Sequence, residues 1–134
     1  RDDYKKVDES ALVGVISGYD AQKNLLYDSV RPNDRNKWGN LSIAVDNVDA
    51  YQGSEVDIVI YSVVRSNELG QLGFLNDIRR LNVALSRGRS CLIIVGNYEF
   101  IKKANLCGFN PFSPIMSYIE QNKKYAKKEV WGNE

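Results

Sequence analysis

Short runs of apolar, largely β-branched residues recur along the chain and predict the strands of a sheet. The strongest run is 56–64, which is apolar at almost every position. Such a run is typical of a parallel strand, because helices cover both faces of a parallel sheet. We therefore predict a central parallel strand at 56–64, with further strands at 12–17, 41–45 and 92–95.

The segments between these runs change to the spacing of amphipathic helices. Apolar positions three or four residues apart recur in 19–30, 73–89 and 114–124, and a further helix is predicted to begin at Asn97. Strands that alternate with helices form a parallel sheet with helices on both faces. The predicted fold class is therefore α/β.

The helix predicted at 73–89 is the segment most suggestive of chemistry. Arg80, Ala84 and Arg87 share one of its faces, and two guanidiniums on one face suit a phosphate, since arginine is always charged and binds phosphate oxygens through two N–H groups. Carboxylate partners would explain the same arginines, so both interpretations stay open here. A separate, apolar stripe is formed by Ile78, Leu81 and Leu85.

Polar residues gather where the predicted strands end. The clusters are 17–22, 47–55, 62–67 and 80–89, the last on the helix next to a strand. In open α/β sheets, ligands bind at the carboxyl ends of the strands. We therefore expect the four clusters to form one shared binding edge.

Composition and charge narrow the class of protein. The chain has 134 residues, within the range of one domain, and its 18 basic against 17 acidic residues exclude a strongly basic nucleic-acid module. No apolar run approaches the ~20 residues that span a bilayer, so no membrane association is predicted. Cys91 lies in an apolar run and is predicted to be a buried small hydrophobe, and with Cys107 it makes no disulfide framework. A reducing, intracellular setting follows, either cytoplasmic or nuclear.

The first residue is Arg1 and the only methionine is Met116, so we predict that the chain is a piece of a longer protein. Several catalytic classes are excluded by what the sequence lacks. There is no histidine, which removes Ser-His-Asp triads, Cys-His dyads and histidine metal ligands. There is also no Gly-x-x-x-x-Gly-Lys-Ser/Thr loop, so the chain has no phosphate cradle of its own.

Three stretches, taken in order, resemble the motifs of one family. Residues 13–22 (Val-Gly-Val-Ile-Ser-Gly-Tyr-Asp-Ala-Gln) resemble motif IV, and 48–57 (Val-Asp-Ala-Tyr-Gln-Gly-Ser-Glu-Val-Asp), continued by 62–67, resemble motif V. Residues 73–97 resemble motif VI and the strand after it. Over about 11–105 the chain thus resembles the C-terminal RecA-like motor domain (RecA2) of a superfamily 1B helicase, in the senataxin and nonsense-mediated-decay branch.

The resemblance implies a RecA-like sheet and a division of the chain into a lead-in at 1–10, the motor domain at 11–124 and a Lys-rich tail at 125–134. It implies ATP as the nucleotide, with Mg²⁺ bound mainly by an N-terminal RecA-like domain of the same parent chain. It also implies single-stranded RNA or DNA as the partner. A non-catalytic nucleic-acid-binding or scaffold module that kept the helicase fold is the alternative.

The resemblance also assigns roles on the nucleotide side. Arg87 would be the arginine finger on the γ-phosphate, where a guanidinium stabilises the charge that phosphoryl transfer develops. Gly53 and Glu55 would lie against the nucleotide and its attacking water, and Gln52 would couple the nucleotide to the nucleic-acid face. Arg80 would assist the phosphates. Structural alternatives stay open for three of these residues: a turn for Gln52, and salt bridges for Glu55 and Arg80.

On the nucleic-acid side, the resemblance assigns backbone contacts to Ser17, Tyr19 and Asn47, with plain capping or core roles as the alternative. Arg65 and Asn67 would brace the loop. The lysines of the tail either attract phosphate or form a solvated, disordered segment, with docking of Trp131 as a further possibility. The lysine run consists of Lys123 and Lys124 at the end of the predicted motor domain and Lys127 and Lys128 in the tail.

Two of the motifs depart from the family pattern. The chain has Ser17-Gly18-Tyr19 where the family usually has Thr-Pro-Tyr, and Ser86-Arg87-Gly88-Arg89 where the family usually has Thr-Arg-Ala-Arg. Gly88 has no side chain, and we expect it to loosen the helix end that aims Arg87. Neither departure removes a charged residue, so rate or coupling is affected more than activity itself.

Overall fold

A computed structural model describes residues 10–30, 39–51, 53, 55–63, 78–105 and 108–131. Its sheet has four parallel strands: β1 Ala11–Ser17, β2 Leu41–Asn47, β3 Val56–Ser62 and β4 Gly88–Val95. Their order is β2-β1-β3-β4, with β3 between β1 and β4. The predicted parallel sheet, and an internal position for its most apolar strand, are confirmed.

Within the described residues, four α-helices and one 3-10 helix connect and cover these strands. They are α1 Asp20–Val30, the 3-10 helix Val48–Tyr51, α2 Ile78–Leu85, α3 Tyr98–Lys103 and α4 Ser113–Gln121. Asn97 caps α3 by accepting a hydrogen bond from the backbone N–H of Phe100 at 2.9 Å. The predicted helix at 73–89 is shorter at its C-terminus, so Arg87 lies beyond α2; residues 73–77 lie outside the described part.

The last helix also ends earlier than the pattern predicts. At its C-terminus, Asn122 directs both its backbone N–H and its side-chain amide to the carbonyl of Tyr118, which closes the final turn. The segment that follows contains turns but no further helix or strand over 122–131. Lys128 docks on the ring of Tyr98, whereas Trp131 is 83% exposed.

The main core lies on one face of the sheet. Ile16, Val59 and Tyr61 project from adjacent strands on this face, and α2 and α3 cover them. Leu81 and Ala84 of α2 are almost completely buried there. Burial of Ala84 shows that the face it shares with Arg80 is partly a packing face. Further core members are Val48, Val56, Val63, Phe100, Ile101, Ala104 and Phe112.

The opposite face of the sheet is covered unevenly. Helix α1 packs over β1 and β2, and its Gln22 side chain donates to Ser62 Oγ at 3.5 Å. On β4 the outward side chains Ile93 and Val95 remain 43% and 45% exposed, and Cys91 is exposed as well. The prediction that Cys91 is buried is therefore wrong. On this face, α1 covers β1 and β2 and does not reach β4 at the edge of the sheet.

Close packing, rather than backbone flexibility, explains why residue 88 is a glycine. It opens β4 opposite Val56, where the register between β3 and β4 shifts by a bulge. A Cβ built on Gly88 would lie 2.6 Å from the carbonyl oxygen of Cys91. The residue therefore fits a tight bulge rather than loosening the end of α2.

We expect Gly88→Ala to lower the free energy of unfolding by about 1–3 kcal/mol, the usual cost of forcing an extra carbon into a packed site. Ser90→Ala, at an exposed position of the same strand, is the control and should change stability by less than about 0.5 kcal/mol. Urea denaturation of both variants measures the difference. An unchanged midpoint for Gly88→Ala would contradict the tight bulge.

Candidate functional site

The candidate residues lie at two opposite edges of the sheet. The strand register aligns the final residues Ser17, Asn47 and Ser62 at the carboxyl edge. Arg87 lies at the other end, because its carbonyl accepts from the backbone N–H of Val56, the first residue of β3, at 3.0 Å. A strand of seven residues separates the edges by about 20 Å.

The expectation of one shared binding edge is therefore wrong. The physical reason is chain direction: a residue that directly precedes a parallel strand lies at the amino edge. Arg87 precedes β4, and Glu55 precedes β3. Arg87 and Glu55, which were predicted on the nucleotide side, thus lie at the end of the sheet opposite to Ser17 and Asn47.

At the carboxyl edge, Ser17 and Asn47 both serve as local caps. Ser17 is completely buried, and its Oγ accepts a hydrogen bond from the backbone N–H of Tyr19 at 3.3 Å. Asn47 is half-buried, and its Oδ1 accepts from the N–H of Ala50 at 3.2 Å, which caps the 3-10 helix. The capping role left open for both residues is present, and it fixes the backbone at this edge.

At the amino edge, the guanidinium of Arg87 is held at the end of α2. Its Nε donates to the carbonyl of Val83 at 3.1 Å, and its Nη2 donates to Ser86 Oγ at 3.0 Å. A cation at this position stabilises the last carbonyls of a helix. Arg87 is half-buried, and Glu55 is exposed beside the start of β3. The edge thus presents one oriented arginine and one accessible carboxylate.

An ion pair between Asp57 and Arg89 supports the same edge. The carboxylate of Asp57 accepts from the backbone N–H of Leu12 at 2.8 Å and from Arg89 Nη2 at 2.8 Å. The Leu12 hydrogen bond, with the nearby Arg89 charge, holds the pKa of Asp57 below its usual value. These contacts join β1, β3 and β4 where Arg87 meets the sheet.

Arg80 forms a salt bridge, the alternative that the sequence left open. Its Nη2 lies 2.9 Å from Asp49 Oδ2, so the partner is Asp49 rather than Glu55. Asp49 belongs to the 3-10 helix that Asn47 caps, and α2 packs against this helix and against β3. One end of α2 is thereby tied to the carboxyl edge, while Arg87 follows its other end.

Sequence reasoning did not single out Tyr61. This residue of β3 is completely buried, and its hydroxyl has no hydrogen-bond partner among the residues that the structure describes. Burial, followed by the neighbouring Tyr19, raises the pKa of Tyr61 well above its usual range, and Arg80 acts against the rise. A tyrosine between the aliphatic residues of β3 was the available signal.

The structure describes the remaining predicted site residues only in part. Gly53 is exposed and has a φ of 80°, the left-handed region that favours glycine. Gln52, Arg65 and Asn67 lie outside the described residues. Among the residues that the structure describes, no three His, Cys, Asp or Glu side chains lie close enough together to hold a metal ion. In the same part of the chain, no helix is long and apolar enough to cross a membrane.

Comparison with known proteins matches the chain to a family model and to several related proteins. The family model AAA_12, described as an AAA domain, matches residues 3–99, which is more than half of the chain. DNA polymerase alpha-associated DNA helicase A of Saccharomyces cerevisiae is 40% identical over 114 residues, which make up 82% of this chain and 15% of that protein.

Two further relatives carry different names. A Regulator of nonsense transcripts 1 homolog of Drosophila melanogaster is 43% identical over 100 residues, 70% of this chain and 8% of the relative. Helicase sen1 of Schizosaccharomyces pombe is 40% identical over 108 residues, 78% of this chain and 6% of the relative. The chain therefore spans only a small part of the length of the relatives that it matches.

Proposed function

The chain belongs to the superfamily 1 helicases, as a C-terminal domain of the branch that includes regulators of nonsense transcripts and helicase sen1, and we propose that it is the second motor domain of an ATP-dependent helicase. In this role it supplies an arginine finger and part of the nucleic-acid surface. The partner is a RecA-like domain elsewhere in the parent chain, which carries the phosphate loop.

The observation that supports this proposal is the placement of α2 between the two edges of the sheet. Eight residues of helix cover about 12 Å. The helix is anchored by the buried Leu81 and Ala84, with the Arg80–Asp49 pair at its start and Arg87 after its end. A rigid element of this kind transmits movement, because buried side chains do not slide independently.

ATP binds in the proposed cleft between the amino edge and the partner domain. Arg87 donates to the γ-phosphate and stabilises the charge of the transition state. Glu55 lies against the attacking water, Gly53 allows the backbone to approach the nucleotide, and Gln52 couples the nucleotide to the nucleic-acid face. The Arg80–Asp49 pair makes Arg80 a support for α2 rather than a phosphate ligand. Mg²⁺, held mainly by acidic residues of the partner domain, neutralises phosphate charge.

At the carboxyl edge, Tyr19 and Asn47 contact the backbone of single-stranded RNA or DNA. Ser17 and the hydroxyl of Tyr19 are both buried, so Ser17 acts by fixing the turn at Tyr19 rather than by touching the strand itself. When the γ-phosphate is lost, Arg87 loses its ligand and the cleft opens. Helix α2 and the 3-10 helix then move the nucleic-acid edge relative to the partner domain, which gives a step along the strand.

We expect the 134-residue chain alone to show no ATP hydrolysis above a protein-free blank, since it has no phosphate loop. The parent protein should hydrolyse ATP and unwind a duplex under the same conditions. A phosphate-release assay on the two proteins provides the measurement. Robust turnover by the short chain would contradict the proposal, and an inactive parent would favour the non-catalytic scaffold.

A further inference from the structure

The segment after α4 forms a distinct charged surface. We define the 123–131 surface by its four lysines, Lys123, Lys124, Lys127 and Lys128, and its two rings, Tyr125 and Trp131. With one glutamate among these nine residues the segment carries +3, whereas the whole chain carries +1. The rest of the chain therefore sums to −2, so the positive charge is concentrated here.

This surface has a defined position on the domain. The carbonyl of Asn122 accepts from the N–H groups of Tyr125 and Ala126 at 2.9 and 3.0 Å, which folds the segment back on the end of α4. The Lys128 ammonium then lies 3.9 Å from the centroid of the Tyr98 ring, a cation–π contact. Tyr98 begins α3 close after the end of β4, so the contact fixes the surface at the carboxyl edge.

Its aromatic rings face solvent. Tyr125 is 75% exposed and Trp131 is 83% exposed, unusual values for rings that gain strongly from burial. The one carboxylate of the segment is used locally: the Lys127 ammonium, and then the Trp131 indole N–H, lower the pKa of Glu129. The nine residues therefore contain two pairs of lysines, and an exposed aromatic ring follows each pair.

We propose that the 123–131 surface binds single-stranded nucleic acid and extends the carboxyl-edge interface beyond β4. The inference rests on the proposed function, because a strand lying along that edge runs from Asn47 on β2 toward β4. Lysines attract the phosphates, and exposed rings stack on unpaired bases without sequence preference. A membrane surface fits less well, because the segment after Gln121 is not an amphipathic helix with a continuous apolar face.

The charge contribution is tested by adjacent lysine pairs. Fluorescence anisotropy measures binding of labelled oligo(U) and oligo(dT) to the chain over a salt series. Replacing Lys123 and Lys124 by glutamine should lower the magnitude of the log–log salt slope by about 1.4, or about 0.7 per phosphate contact. The control replaces Lys5 and Lys6, a Lys-Lys pair near the opposite end of the chain, and should leave the slope unchanged.

The stacking contribution is tested by Trp131→Ala. Loss of one base stack should weaken binding roughly 5- to 150-fold for single strands, with little effect on a duplex of the same length. Phe109→Ala removes a ring that is 48% exposed elsewhere, and it should bind as the unaltered chain does.

The outcomes separate this surface from the proposed function. If the 123–131 variants bind normally while Asn47→Ala weakens binding, the further surface is overturned and the proposed interface stands. If only the 123–131 variants weaken binding, the surface stands without the Asn47 contact. Equal effects of both lysine pairs, no oligonucleotide binding by the chain, or preferential binding to phosphatidylserine vesicles would each overturn the inference. ATP hydrolysis by Arg87 variants of the parent tests the motor function independently.

Discussion

Replacement of Arg87 by alanine in the parent helicase is expected to lower kcat for ATP hydrolysis by ~10³-fold or more. In the transition state, charge spreads over the equatorial oxygens of the transferred phosphoryl group, and the proposed guanidinium contact is strongest there. Arg87→Lys should recover little of the rate, because an ammonium lacks the planar, forked donors of arginine. Single-turnover ATP hydrolysis measures the chemical step directly.

The structural role of Arg87 makes a control necessary. Its contacts with Val83 and Ser86 hold the end of α2, so its removal also costs some helix stability, typically 0.3–1 kcal/mol for a cation at a helix C-terminus. That cost is too small to explain a thousandfold loss if the protein remains folded. Thermal unfolding should confirm a folded variant.

Arg89→Ala is the matched control at the same edge. It removes an arginine two residues away and breaks the contact with Asp57, yet no nucleotide role is proposed for it. We expect its kcat to stay near that of the unaltered protein. Equal losses for both variants, or a near-normal rate for Arg87→Ala, would mean that Arg87 is structural.

The sequence predicted the architecture because local patterns encode it. The near-continuous β-branched run of β3 requires cover on both faces, which only an internal parallel strand provides. Asn97 was predicted to begin a helix, and its side chain does cap α3. These features depend on a few neighbouring residues, so the chain alone is sufficient to predict them.

The arrangement of the site depends on contacts between residues that are distant in the sequence, and local sequence patterns do not predict such contacts. Asp49 is the partner of Arg80 across 31 positions, and no local pattern selected it over Glu55. The need for Gly88 arises from the carbonyl of Cys91 in a bulge. Arg87 lies far from the carboxyl edge because it directly precedes β4, and a residue that precedes a parallel strand lies at the amino end of the sheet. Tyr61 was missed because an apolar run conceals a buried hydroxyl.

The salt bridge between Arg80 and Asp49 leads to the second large effect. Asp49→Ala and Arg80→Ala should each reduce the stimulation of ATP hydrolysis by single-stranded nucleic acid by about tenfold, within the 5- to 150-fold range of coupling between sites. The rate without nucleic acid should change much less. The pair is partly exposed, so its direct contribution to folding is at most about 1 kcal/mol. Its importance is expected in coupling rather than in stability.

A double-mutant cycle distinguishes the pair from two separate contributions. If the ion pair joins α2 to the 3-10 helix, the double variant should lose no more stimulation than either single variant. The exchanged pair, Asp49→Arg with Arg80→Asp, should recover part of it. Asp28→Ala, at an exposed position of α1, controls for loss of a carboxylate and should keep full stimulation. Additive losses would contradict a link through this contact, because α2 would then be coupled to the carboxyl edge only through its packing on the 3-10 helix and β3.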